Sequence, residues 1–254
     1  MTTSETSAQR AAGSAIKTIS VVIPAFNEAA RIGDSIRKIE QFLGGFPYPS
    51  ELIVVDDGST DETFRVLCNF RFRGFRLIHN PTNHGKGYSV RQGVLAATGD
   101  FVLFSDADLS APIEELQKLL DVAISENADV VVGSRSLDRS FIEKHQSRFR
   151  EAGGVFFNWM VRLVLGLNLH DTQCGFKLFK RQTIVPIFQK QTTDGFGFDP
   201  EILFLASRRG LKVCEVSVRW SHAEGSKVRF MRDATRMFTD LVRIRWNYLM
   251  GRYS

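Results

Sequence analysis

Two carboxylates one residue apart, Asp106 and Asp108 in Phe104-Ser-Asp-Ala-Asp108, follow directly on a short apolar run. At the end of a buried strand such a pair ionises comfortably only with a cation beside it. Hard oxygen donors of this kind suit Mg2+ or Mn2+, which take one or two carboxylates and complete their shells with water and phosphate oxygens. An ion held there would bridge a diphosphate and offset the charge that develops as the diphosphate leaves. The plainer alternative is a surface D-x-D in which one acid caps the helix that Pro112 begins. The neighbouring motifs favour chemistry. Pro24-Ala-Phe-Asn-Glu28, Asp56-Asp-Gly-Ser-Thr-Asp61, His79-Asn80 with Asn83-His-Gly-Lys-Gly87, and Gly133-Ser-Arg135 each follow an apolar run of their own.

Other phosphate motifs fail on their spacing. Gly85-Lys-Gly-Tyr-Ser-Val90 lacks the third glycine of a dinucleotide fingerprint. Lys86 has neither the earlier glycine nor the following Ser/Thr of a P-loop. Gly85 and Gly87 leave two readings open: a backbone that approaches a phosphate at a helix start with Lys86 as countercharge, or a plain turn.

Positioning these groups requires a particular architecture. Ile19–Ile23, Leu52–Val55, Phe75–Ile78, Phe101–Phe104 and Val130–Val132 are apolar almost throughout, as strands covered on both faces must be. Between them the pattern predicts helices over Glu28–Leu43, Asp61–Phe72, Lys86–Ala97 and Pro112–Asn127. Ser59 and Asp61 stand as N-caps, Pro112 in a first turn, and Gly99 as a helix stop. Repeated βα units imply an α/β fold: a single doubly wound, mostly parallel sheet flanked by helices. Ligands bind such sheets beyond the carboxyl ends of the strands, where every motif above falls. After Arg135 the rhythm changes. A polar segment leads into a helix ending near Leu167, then a strand over Cys174–Phe179, a helix over Pro200–Arg209, a strand over Lys212–Arg219 and a final helix.

Composition narrows the class. The chain has 254 residues, 43% hydrophobic and 24% charged, which excludes wholesale disorder. Its three cysteines (Cys68, Cys174, Cys214) are far apart, which argues against a disulfide framework or zinc site and for a reducing compartment. A formal charge of +5 suits phosphate-rich ligands or an anionic membrane surface without selecting either. No apolar run is long enough to span a bilayer, and residues 1–18 lack the apolar middle of a secretory signal, reading as a disordered lead. Aromatics and arginines alternate from Phe64 to Arg76, but across a helix end and a strand; core phenylalanines beside surface arginines explain them, and no nucleic acid is expected. The histidines show no metal-ligand spacing.

The first-half motifs, Ser20-Val-Val-Ile-Pro-Ala-Phe-Asn-Glu28 through Asp106-Ala-Asp108, resemble the nucleotide-sugar half of the family 2 glycosyltransferases, of GT-A fold. Asp171-Thr-Gln-Cys-Gly-Phe-Lys-Leu-Phe179, Phe198-Asp-Pro-Glu201, Glu215-Val-Ser-Val-Arg-Trp220 and Gly225-Ser-Lys227 resemble the dolichyl-phosphate β-glucosyltransferases and their bacterial polyprenyl-phosphate relatives. The resemblance implies one domain over residues 19–254, with 19–135 serving the nucleotide sugar and 136–254 the acceptor. It implies an inverting, metal-dependent transfer of glucose from UDP-glucose to a polyprenyl phosphate; another donor (GDP-mannose, UDP-GlcNAc), a soluble acceptor or a non-catalytic sensor are the alternatives. Pro24, Phe26 and Glu28 would line the base and ribose pocket, with Asp56 or Asp57 accepting from the uracil and Lys86 near the base or phosphates. Asp106, Ala107 and Asp108 would meet the donor, the two acids holding Mg2+ or Mn2+. Arg135 would meet the diphosphate or sugar, and Lys227 would close on phosphate. Asp171 matches an acid suggested as a base, or it positions the sugar, since a phosphate monoester is already anionic near neutral pH. Two features depart from the relatives. Ser110 stands where the mannosyl branch has a metal-binding glutamine, and no apolar helix opens this sequence as it does in the eukaryotic glucosyl relatives.

The expected location is cytoplasmic, with peripheral contact at a membrane. From Phe230 to Leu249, residues Phe230, Ala234, Met237, Phe238, Leu241, Ile244 and Tyr248 share one helical face; Arg232, Arg236, Arg243 and Asn247 lie opposite, and Arg245 intrudes on the oily side. That face either packs on the sheet or lies in a headgroup layer, and Val155–Leu167 offers the same choice.

Overall fold

The computed structural model describes residues 18–138, 140, 142–144, 148–221 and 230–253. Parallel βα units open the chain: β1 (Ile19–Ala25), α1 (Ile32–Gly44), β2 (Ser50–Asp56), α2 (Thr63–Leu67), β3 (Phe75–His79), α3 (Lys86–Ala96), β4 (Phe101–Ser105), α4 (Glu115–Ser125) and β5 (Val130–Ser134). There follow β6 (Ile142–Lys144), α5 (Arg148–Leu165), β7 (Phe176–Lys180), α6 (Arg181–Phe188), α7 (Phe198–Arg208), β8 (Val213–Ser217), β9 (Trp220–Ser221) and α8 (Phe230–Leu249). The main sheet runs β3-β2-β1-β4-β7-β5-β8, and β6 pairs with β9 separately.

Alternation along the strands builds a core on each face of this sheet. Ile19, Val21, Ile23, Leu52, Val54, Leu103 and Val131 pack with Ile32, Ile36 and Ile39 of α1 and Leu116, Leu119 and Leu120 of α4. Val22, Ile53, Val55, Val102, Phe104, Val130 and Val132 pack with α3, α5, α6, α7 and α8. Both faces are therefore dry, which is why these strands carry almost no polar side chains.

β7 runs antiparallel to both its neighbours, β4 and β5, while the other pairings of the main sheet are parallel. An antiparallel strand begins where its parallel neighbours end. The segment before Phe176 is thereby delivered to the rim that holds the carboxyl ends of β4 and β5, with Ser105 opposite Phe176. One strand direction joins the second half of the chain to the first.

Element ends differ from the sequence pattern where local contacts outbid propensity. α2 is only Thr63–Leu67, because Phe70, Phe72 and Phe75 turn back onto the core. α4 begins at Glu115 after a turn at Pro112, and α3 ends at Ala96 with Ala97 extended, so Gly99 lies beyond it in the turn to β4. The Pro-containing α6 and the β6–β9 pair were not legible as elements.

Candidate active site

The loops after β1 and β2 are laced into one wall. Asn27, in the left-handed region at φ 54°, accepts from the Thr60 amide at 2.7 Å, and its own amide donates to Ser59 Oγ at 2.9 Å. The Glu28 amide donates to Thr63 Oγ1 at 2.7 Å. This fixes Pro24, Phe26 and Glu28 against the end of β2. Asp56 is fully buried, accepting from Ser59 Oγ and facing His79 Nδ1 at 2.7 Å.

Asp57 organises the next loop. Its carboxylate accepts from Asn80 Nδ2 (2.9 Å), Asn83 Nδ2 (2.9 Å), and the amides of His84 (3.1 Å) and Gly85 (2.7 Å). Four donors on one buried carboxylate replace the solvent it lost. The loop then enters α3 at Lys86. Gly85 (φ 115°) and Gly87 are closely approached by another part of the chain. A Cβ on Gly87 would stand 2.6 Å from Phe198 Cβ and 2.7 Å from the Thr193 carbonyl, so it is residues 193–198 that approach this helix start.

Lys86 reaches across to Asp106, Nζ to Oδ1 2.6 Å, over the ring of Phe104. Burial lowers the Lys86 ammonium, but the charges of Asp106 and Asp199 outweigh it and hold the group above its ordinary value. The Asp106 amide donates to the Gly175 carbonyl at 3.0 Å, extending the β4–β7 ladder to the rim. A Cβ on Gly175 would overlap the Asp106 carboxylate, so this glycine leaves the space that the acid fills. Ser35 Oγ donates to the Ala107 carbonyl at 2.6 Å, Leu109 turns the chain at φ 48°, and Asp108 Oδ1 accepts from the Ser110 amide at 2.9 Å. Arg31, ion-paired with Glu28, is held above its ordinary value by that hydrogen bond against burial, with Asp108 and Asp106 adding to it. Lys86 thus contacts one acid of the pair, and the charges of both acids reach Arg31.

Arg135, just past β5, forks onto Asp171: Nε to Oδ2 2.6 Å and a second guanidinium nitrogen to Oδ1 2.9 Å, above the ring of Trp220. Burial pushes the Asp171 carboxyl up, but the Arg135 charge and hydrogen bonds overcome it and hold the group below the usual carboxylate range. Glu215 on β8 fixes this segment by accepting from the amides of His170 (2.8 Å) and Asp171 (2.9 Å). Burial and the Asp171 charge push the nearby Cys174 thiol up to about 12. Beneath Lys86, Lys177 of β7 pairs with Asp199 of α7 at 2.6 Å, both buried.

The structure thus brings together Pro24, Phe26, Glu28, Asp56, Asp57, Lys86, Asp106, Ala107, Asp108, Arg135 and Asp171 on one rim; Lys227 lies outside the described residues. Sequence reasoning gave no role to Asn27, Gly175, Lys177, Asp199 or Glu215. A charged residue inside an otherwise apolar strand (Lys177, Glu215) was the available signal. Two carboxylates that leave most of a coordination shell open fit a Mg2+ or Mn2+ ion shared with a diphosphate. Among the described residues no group of three or more His, Cys, Asp or Glu forms a closed cage.

Residues 20–187 match the model of Glycosyl transferase family 2. A dolichyl-phosphate beta-glucosyltransferase of Saccharomyces cerevisiae is 37% identical, covering 92% of this chain and 76% of that protein. Its counterpart in Dictyostelium discoideum is 33% identical over 92% and 75%. Among solved structures, glucosyl-3-phosphoglycerate synthase from Mycobacterium tuberculosis, with Mn2+, UDP-glucose and phosphoglyceric acid, superposes with a TM-score of 0.66 at 23% identity over 91% of this chain and 80% of that one. Mannosyl-3-phosphoglycerate synthase from Rubrobacter xylanophilus gives 0.68 at 22% identity over 93% and 75%. The fold is that of the GT-A glycosyltransferases.

Proposed function

The chain belongs to glycosyl transferase family 2, and from that premise we propose that it transfers glucose from UDP-glucose to a polyprenyl phosphate of the dolichyl type, with inversion. The observation that carries the reading is the likeness, over nine-tenths of the chain, to relatives named dolichyl-phosphate beta-glucosyltransferases. The rim supports it with an acid pair, the Lys86 cation on one of its members and an Arg135–Asp171 fork.

In this reading Asp106 and Asp108 hold Mg2+ or Mn2+, which when bound offsets charge on the departing diphosphate. Lys86 holds Asp106 in place, and Arg31, paired with Glu28, adds positive charge to the field around both acids. Pro24, Phe26 and Glu28 bound the nucleoside, while Asp57 keeps the loop beside it in shape. An acceptor phosphate oxygen forms a bond to the anomeric carbon as the bond from that carbon to the diphosphate oxygen breaks on the opposite face. The α-linked donor so yields a β-linked product. Asp171 serves this step by positioning: its oxygens accept from the Arg135 side chain and amide and from the Gln173 amide, so it acts on the sugar through Arg135. A carboxyl held below its usual range is a poor base, and the acceptor brings an anionic oxygen with it. Lys227 is proposed to meet phosphate from the acceptor half.

Purified protein given radiolabelled UDP-glucose, Mn2+ and dolichyl phosphate should move label into the organic phase, and GDP-mannose or UDP-GlcNAc should not substitute. Preferred transfer to a soluble phosphorylated acceptor, or UDP-glucose binding without transfer to either acceptor, would sink the proposal.

A further inference from the structure

Helices α5 and α8 pack side by side and rest on the same face of the sheet, where Val161 and Leu165 meet one core with Leu241 and Ile244. Each carries a second apolar stripe turned away from that core. On α5 it is Val155, Phe156, Trp159 and Leu163, from 55% to 67% exposed; on α8 it is Phe238, Val242, Trp246 and Leu249, from 44% to 65% exposed. Steps of three and four residues make each stripe continuous along its helix. Among the described residues outside these helices and their ends, the exposed large apolar side chains are Phe64, Leu95, Ile124 and Leu137, scattered over separate elements. Scattered residues of that kind are ordinary, whereas two adjoining stripes mark a contact surface.

Charge selects the partner. Arg148, Arg150 and Arg162 stand against Glu151 in α5, and Arg232, Arg236, Arg243, Arg245 and Arg252 against Asp233 and Asp240 from α8 to the end of the chain. That excess equals the formal +5 of the whole sequence, so the rest of the chain is balanced. A second copy of the chain would set the same cations against each other. No helix among the described residues is long and apolar enough to cross a bilayer. We infer that the α5–α8 face lies on an anionic lipid bilayer, with Trp159 and Trp246 at headgroup depth and Arg236 and Arg245 against lipid phosphates.

The inference goes beyond the reaction proposed above and is tested without donor or acceptor. Trp220 is buried, so a change in tryptophan emission on adding vesicles reports Trp159 and Trp246. The full chain should sediment with vesicles of phosphatidylcholine and phosphatidylglycerol, with blue-shifted emission, and should bind phosphatidylcholine alone more weakly. A Trp159→Ser/Trp246→Ser double variant should lose about tenfold or more in partitioning, and Arg236→Glu about fivefold, with unchanged circular dichroism melting. Phe64→Ser should bind as wild type does. Equal binding by wild type and the double variant would overturn the inference, as would no binding to either vesicle. A concentration-dependent dimer that the double variant abolishes would overturn it too. Transfer to a short-chain, water-soluble polyprenyl phosphate without vesicles reads the reaction separately, so that failure of one claim is told apart from failure of the other.

Discussion

Single atoms at the rim carry separable tasks. Asp108 is partly exposed and its described contact is the Ser110 amide. Its replacement by alanine should therefore leave melting nearly unchanged while transfer falls by about a thousandfold or more; wild-type turnover in that variant would remove the metal from the mechanism. Gly175→Ala probes the same acid from behind. The added methyl must displace the Asp106 carboxylate, costing about 1–3 kcal/mol in urea unfolding and, through misplacement, on the order of a hundredfold in turnover. Normal kinetics in Gly175→Ala would show that Asp106 needs no fixed position.

Elements act through the loops they tie. Asp57 converts the end of β2 into the anchor for residues 80–85 and so sets where α3 launches Lys86. Asp57→Ala strands the buried Asn80 donor and three partly buried ones at once and should cost about 2–4 kcal/mol. The donor KM should rise more than kcat falls, because binding walls move and the acid pair stays; a fall in kcat alone would count against this role. β7 and α7 are joined by Lys177 and Asp199. Lys177→Met leaves a buried carboxylate without its partner, a loss of about 3–5 kcal/mol measurable by urea titration. Recovery of that loss in Lys177→Met/Asp199→Leu would identify the unpaired charge, rather than packing, as its cause.

At the scale of the molecule, stability responds to acid through the Arg135–Asp171 pair, which joins the loop after β5 to the segment before β7. The Asp171 carboxyl is held below its unfolded value. Its stabilisation is therefore complete above pH about 4 and is lost as pH falls through the lower folded value. Urea midpoints of wild type should exceed those of Asp171→Asn most at neutral pH, and the gap should close in acid; a gap independent of pH would mean that the pair contributes through packing alone.

Short apolar runs ending in polar clusters made the strands, the parallel sheet and most rim residues legible, because burial on both faces of β1, β2, β4 and β5 forces that composition locally. The acid pair and Arg135 were visible for the same reason, each standing within three residues of a strand end, and Lys86 because it opens the helix that follows β3. α8 was legible only as amphipathic. Leu241 and Ile244 do pack inward, but Asn247 is buried with them and Phe238 is exposed, since a helix pattern gives a periodicity and not the angle at which its neighbours meet it. Tertiary structure alone decided that β7 runs antiparallel, that Gly175 makes room for Asp106 and that residues 193–198 press on Gly87. Those are contacts between segments distant along the chain, and no local residue pattern encodes a partner's distance or direction.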